Sequence, residues 1–273
     1  MTDRSIKFYH SAIKNVFPDA WNIRKPVVPG GVSPVFLCDT TSGTKVCRFS
    51  ERKIIFRNQD VSYLLNLHNI PVPKTRIHAY IDTWFESYDY CPAPTFFEHI
   101  NAGMTDAEIF DIYKHATDIQ RQLSDIPPVY FQPSNYKHLH EIFVATQKMR
   151  VHPTLARVYG AIHKLFSNNG DLRVLHNDLN NKNILVDDNK HVVRLIDLDA
   201  VALCNESFSV MMTLRTYPLT NNLEYMEYYE DTMGRKINRS AITKGLQILD
   251  AIRKPQVALN RLLWRGYNTA PGR

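Results

Sequence analysis

The chain has 273 residues, 44% hydrophobic and 22% charged, the balance of an ordinary folded protein, which argues against a disordered or low-complexity polymer. Its four cysteines, Cys38, Cys47, Cys91 and Cys204, show no CxxC pair and no metal-ligand spacing, so neither a disulfide scaffold nor a zinc module is expected. The net charge of +6 is uneven: residues 232–273 hold nine Lys/Arg against Asp250 alone, which leaves the rest of the chain slightly acidic.

The opening MTDRSIKFYH lacks an apolar signal core, and no apolar run approaches the ~18 residues of a membrane span, so a cytoplasmic protein is expected. Ile6, Tyr9, Ile13, Val16 and Phe17 recur at a helical period. Two short apolar runs then flank the turn-forming cluster Asp39–Thr44, which predicts a hairpin within 27–49. Ser50 is expected to cap a helix reaching Leu67, ended by Ile70-Pro-Val-Pro73. Ile77–Tyr90 is rich in Thr, Tyr, Trp and Phe and reads as strands, and Cys91-Pro-Ala-Pro94 reads as a linker. Beyond it, Thr105 caps a helix over Asp106–Leu123, with further helices expected near 137–150, 154–167 and 221–264. Only 172–201 breaks that run, with LRVLH, NILVD and VVRLID as short strands. The layout is α+β: a small strand-rich lobe over 1–91, then a larger helical lobe over 92–273.

The stretch Val174–Val186, VLHNDLNNKNILV, sets a polar loop between two apolar anchors. Asp178 and Asn183 lie five residues apart, with Leu179 as an apolar pin. VVRLID can fold back beside NILVD through the turn at Asp187–Asn189, which would bring Asn183 and Asp197 to one end of a hairpin. An amide oxygen beside a carboxylate suits Mg²⁺, which prefers hard oxygen ligands and keeps several waters. Asp178 would then accept the proton of an attacking hydroxyl. The plainer reading is an Asx-rich turn bonded to its own backbone. HNDLNNKN, however, matches the kinase catalytic-loop pattern H-R-D-L-x-x-x-N at every fixed position except Asn177.

The chain resembles the aminoglycoside phosphotransferase and choline kinase group, small-molecule kinases with the two-lobed protein-kinase-like fold. The resemblance rests on HNDLNNKN and IDLD, with GGVSPVFLC, KVCRF and LHNIPVP upstream, and covers about residues 27–205. It implies ATP and Mg²⁺ as cofactors, Asp178 as catalytic base, and Asn183 and Asp197 as metal ligands. It also implies that Gly30, Gly31 and Ser33 bring backbone N–H groups to phosphate. Pro34 stands where Asn is usual, and Arg48 where Lys is usual. The carboxylate partner of Arg48 is open between Asp60 and Glu51. Asp199 is open between a second metal contact and a cap on the following turn. Glu86–Tyr90, including Glu86 and Tyr88, falls at the hinge whose backbone would meet the adenine.

The absence of Asp-Phe-Gly, of Ala-Pro-Glu and of Arg before Asp178 disfavours a protein acceptor and points to the hydroxyl of a small molecule or glycan. Glu224–Asp231 mixes acids with aromatics, as a cationic-amine site would, and reads equally as a helix face with Tyr packed inward. The basic C-terminal segment instead suits an anionic sugar, a lipid-linked glycan such as the substrate of lipopolysaccharide kinases, or an anionic membrane surface at the inner face. The plainer reading of that segment is a solvated helix face. A pseudokinase is the alternative motivated by Arg48 and Asp60. Nucleic acid is disfavoured, since the basic segment carries no interleaved aromatics beyond Trp264 and Tyr267.

Overall fold

The structure is a computed structural model that describes residues 5–26, 33–131, 160–162, 164–166, 172–216 and 222–250. Helix α1 (Ile6–Val16) lays Tyr9, Ala12 and Ile13 against a five-stranded antiparallel sheet. Its strands are β1 (Trp21–Arg24), β2 (Val35–Thr40), β3 (Gly43–Ser50), β4 (Arg76–Tyr80) and β5 (Thr83–Asp89), in the order β1-β2-β3-β5-β4. The hairpin expected around Asp39–Thr44 is β2–β3, and Gly43 at φ 106° supplies the turn's left-handed residue. Tyr9, Phe36, Phe49 and Phe85 fill the small core, with Phe49 and Phe85 stacked at 4.7 Å.

Helix α2 (Arg52–Leu67) starts immediately after β3. Ser50 is not its cap: it pairs with Trp84 as the last residue of β3, and Glu51 stands at the helix start with no side-chain cap bond. The buried face of α2 is Ile55, Asn58, Val61, Ser62 and Leu65. The helix ends where Asn69 turns to φ 57° and Pro71, with no N–H, cannot continue it. Val61, Leu65, Ile70 and Val72 join a second, larger core built mainly from the chain beyond residue 94.

That larger part contains α3 (Phe96–Asn101) and α4 (Asp106–Ser124), each opened by a reciprocal capping box, Thr95 with Glu98 and Thr105 with Glu108. The α3 box, T-x-x-E, stands immediately after the Cys91–Pro94 stretch that reads as linker. Four short strands follow: β6 (Leu172–His176), β7 (Ile184–Val186), β8 (Val192–Leu195) and β9 (Val201–Asn205), paired as β6–β9 and β7–β8. Then come α5 (Glu206–Thr216), α6 (Asn222–Met233) and helical residues 239–250. The continuous helix expected over 221–264 is broken after Met233, where Gly234 takes φ 66°. The helix expected at 137–150 and the basic segment beyond 250 lie outside the described residues, as do Gly30 and Gly31. Among the described residues no helix is long and apolar enough to cross a membrane.

Candidate active site

The polar loop hangs between β6 and β7 and is fixed from three sides. From α4, Gln120 donates through Nε2 to the His176 carbonyl at 3.3 Å and accepts from the His176 N–H at 3.0 Å. The buried His176 ring meets the Ile196 carbonyl through Nε2 at 2.9 Å, so its role is to tie the loop to the segment before Asp197. Asn177, in place of the usual Arg, is fully buried and donates its N–H to the Ala200 carbonyl at 3.1 Å. It secures the other flank of the same segment. From the linker side, Phe97 N–H donates to the Asn181 carbonyl at 2.8 Å and Val186 N–H to the Pro94 carbonyl at 3.0 Å.

Within the loop, Asn183 Nδ2 donates to the Asp178 carbonyl at 2.9 Å and to Asp178 Oδ2 at 3.0 Å. The amide is thereby oriented, and its Oδ1 has no protein donor among the described residues. The expected hairpin is β7–β8, with an irregularity between Leu185 and Val186: Ile184 pairs with Leu195, and Ile196 N–H donates to the Asn183 carbonyl at 2.9 Å. Leu195 N–H in turn donates to the Pro71 carbonyl at 2.8 Å, which docks the Ile-Pro-Val-Pro segment against β8. Asp197 follows at φ 63°, a left-handed conformation uncommon for a residue with a Cβ. Burial pushes its carboxyl above the ordinary range, with the Asp199 and Asp178 charges adding to the rise and Arg48 opposing it. No cage of three or more His, Cys, Asp or Glu exists among the described residues. The donor set that does exist, one oriented amide oxygen and one carboxylate, fits Mg²⁺, which takes its remaining ligands from water and phosphate.

Arg48 enters from β3, only 13% exposed. Its Nη1 donates to Glu86 Oε1 at 3.0 Å and to Asp199 Oδ1 at 2.8 Å, its Nη2 donates to Asp199 Oδ2, and Asp197 Oδ1 lies 3.6 Å away. Burial works against the cation, but the Asp199 bonds and the surrounding carboxylates hold it charged. Burial also works against the Asp199 charge, but Arg48, with Asn58 and Arg57, keeps that carboxyl below its ordinary range. Neither expected partner is used. Asp60 is exposed on α2, and Glu51 pairs with Lys53 at 3.2 Å. The residue of α2 that faces the site is Asn58, which donates to Asp199 Oδ1 at 2.6 Å and Glu86 Oε1 at 3.2 Å. One turn of reasoning about helix faces exposes it: Ile55, Asn58, Ser62 and Leu65 share the buried stripe, and Asp60 does not. Arg57, also missed, donates to the carbonyls of Asp199, at 2.9 Å, and Val201.

Glu86 is corrected as well. It sits in the middle of β5 with partners on both sides, Arg48 on β3 and Ile77 on β4, and its buried side chain serves Arg48. Its backbone is therefore unavailable to a base. Tyr88 pairs with Val46 on β3 and lies beyond Arg76, the first residue of β4, so its other edge has no strand partner among the described residues. Ser33 lies at the entry to β2, and Pro34 takes part through its carbonyl, which accepts from Phe49 N–H at 2.9 Å. Asp199 neither caps a turn nor stands free for metal; it is bound to Arg48. Two of the four acids of α6 are engaged internally: Glu230 is held by Lys236 and Arg239, and Glu227 meets Arg239 at 3.3 Å.

A family model described as the phosphotransferase enzyme family matches residues 26–235. No curated protein matches by sequence. Among solved structures, an aminoglycoside-3'-phosphotransferase of type VIII is similar at 14% identity and TM-score 0.66, over 88% of this chain and 97% of that one. The GDP and kanamycin complex of APH(2")-IIia is similar at 15% identity and TM-score 0.64, over 96% and 94%. A Plasmodium vivax ethanolamine kinase is similar at 12% identity and TM-score 0.53, over 82% and 70%. The structural similarity, at identities this low, shows a shared protein-kinase-like fold alone, while the family model covers most of the chain, the loop and the IDLD segment included. The chain belongs to the phosphotransferase enzyme family, as a kinase-type enzyme.

Proposed function

We propose that this enzyme transfers the γ-phosphoryl group of ATP to a hydroxyl of a small molecule or glycan. The observation that carries the reading is the single unit formed by Asp178, Asn183 and Asp197. One amide clamps the Asp178 carboxylate, and one ladder bond sets Asp197 beside that amide. Asn183 and Asp197 would hold Mg²⁺, which when bound neutralises charge on the phosphates. Asp178 would orient the acceptor hydroxyl and take its proton at a carboxylate oxygen. Residues 1–91 would take the nucleotide and 92–273 the acceptor, with the backbone beside Tyr88 at the adenine. Solved relatives are described with GDP and with ADP, so the choice of purine belongs to the test.

The pairing of Glu227 and Glu230 with their own basic neighbours engages two of the four acids that suggested a cationic amine, which favours a neutral or anionic acceptor. The pseudokinase reading draws on one observation, the engagement of Arg48 by carboxylates. A panel of hydroxyl compounds, glycans and aminoglycosides incubated with Mg·ATP or Mg·GTP and read by mass spectrometry separates these readings. Transfer of one phosphate to an acceptor is expected. Asp178→Asn keeps the shape of the loop, so turnover should fall by about 10²–10⁴ with nucleotide affinity nearly unchanged. Nucleotide binding with no transfer to any acceptor would support the pseudokinase.

A further inference from the structure

A guanidinium carries two N–H bonds on each terminal nitrogen. In Arg48 those of Nη1 are directed at Glu86 Oε1 and Asp199 Oδ1. Those of Nη2 face Asp199 Oδ2 and, at 3.6 Å, Asp197 Oδ1. The planar fork that suits a phosphate is thus already filled, and filled bidentately, by a carboxylate. We propose that Asp199 is a gating carboxylate of the nucleotide site: a nucleotide phosphate gains Arg48 only by displacing it. This rests on the phosphotransferase reading above.

Two further features fit such an exchange. Asp199 is gripped by residues of the nucleotide half through both its side chain and its backbone. Arg57 donates to the carbonyl at 2.9 Å, so the backbone stays anchored while the carboxylate leaves; Asn58, which donates to Oδ1 at 2.6 Å, releases it together with Arg48. Arg48 also keeps a second counter-ion throughout, since Glu86 lies beneath it, buried. Losing Asp199 therefore does not strand the cation. With Asp197, Asp199 and Glu86 all within reach of one arginine, the site carries an excess of acid that opposes an incoming anion. Removal of the Asp199 charge should help most where no divalent cation offsets that excess. If Asp199 instead only aimed Arg48 at phosphate, its removal would weaken binding, so the two roles differ in sign.

The test is ADP binding to the full chain in EDTA, followed by titration calorimetry. Asp199→Asn should bind ADP about tenfold more tightly than wild type. Asp178→Asn removes the same charge from the neighbouring loop without touching the Arg48 fork, and should change affinity by less than about threefold. Asp199→Ser carries the same expectation as Asp199→Asn, and thermal melting checks that both variants fold. Affinity unchanged or weaker in the Asp199 variants, or an equal gain in Asp178→Asn, overturns the gate. Loss of folding in both Asp199 variants makes it a structural residue and also overturns it. Wild type that binds ADP with Mg²⁺ while the variants show no gain refutes the gate alone. Wild type that binds no nucleotide with or without Mg²⁺ refutes the phosphotransferase reading beneath it.

Discussion

Glu230 offers the sharpest quantitative test. The sequence sets it among acids and aromatics that suit a cationic ligand, whereas the structure encloses it, with its side chain 2% exposed. Arg239 donates through Nε at 3.1 Å and Nη2 at 2.7 Å, Lys236 at 2.7 Å, and the Ile237 N–H at 3.2 Å. The Arg239 bonds above all, outweighing burial, bring its carboxyl from 4.5 down to about 2. That drop corresponds to about 3 kcal/mol in favour of the charged form. Lys236 is 81% and Arg239 33% exposed, so solvent screening reduces the net contribution to about 2 kcal/mol. Glu230→Gln should therefore lower the melting temperature by about 4–8 °C at pH 7. The sign of the pH dependence is fixed, because the folded state holds the proton less tightly than the unfolded chain. The wild-type advantage is full above pH 4.5, shrinks as pH falls below it, and is gone near 2. Urea midpoints of both proteins at pH 7, 5, 4 and 3 measure this. A gap that stays constant over that range, or is absent at pH 7, would refute the assignment. The acceptor KM should be unmoved, since Lys236, Arg239 and the Ile237 N–H already occupy this carboxylate; a large rise would restore the cationic-amine site.

Two further outcomes are expected. Asp197→Ala should abolish the Mg²⁺-dependent part of ATP-induced thermal stabilisation and leave the metal-independent part. Because Asp197 holds its proton to higher pH than an ordinary carboxyl, the Mg²⁺-dependent part in wild type should fade as pH is lowered through that raised value. Identical shifts with and without Mg²⁺ would remove the metal assignment. Gly245→Ala places a Cβ against the Met211 Sδ in the larger core, so it should cost about 1–3 kcal/mol in urea unfolding. A neutral effect would mean that the methionine swings aside.

The catalytic loop was legible because its chemistry is local. Asp178 and Asn183 share eight consecutive residues, and Asp197 is brought back by one short hairpin between two apolar runs. The surroundings of Arg48 were not, because its main partner lies 151 residues away in the chain and no local pattern announces it. Asp60 misleads in another way: it offers the charge, but helix geometry places the neutral Asn58 on the inner face. The departures at Arg48, Asn58 and Asp199 make physical sense only together. A lysine is a point charge and is satisfied by one carboxylate on a helix; an arginine fork is satisfied by a carboxylate presented edge-on. Asp199 presents its two oxygens that way from the segment after β8. An acid at position 58 would then crowd a third carboxylate against Glu86 and Asp199, whereas an amide donates to both. The neutral Asn58 is thus the consequence of moving the counter-ion to Asp199, and through Arg48 and Arg57 it couples the nucleotide half to the segment that carries Asp197.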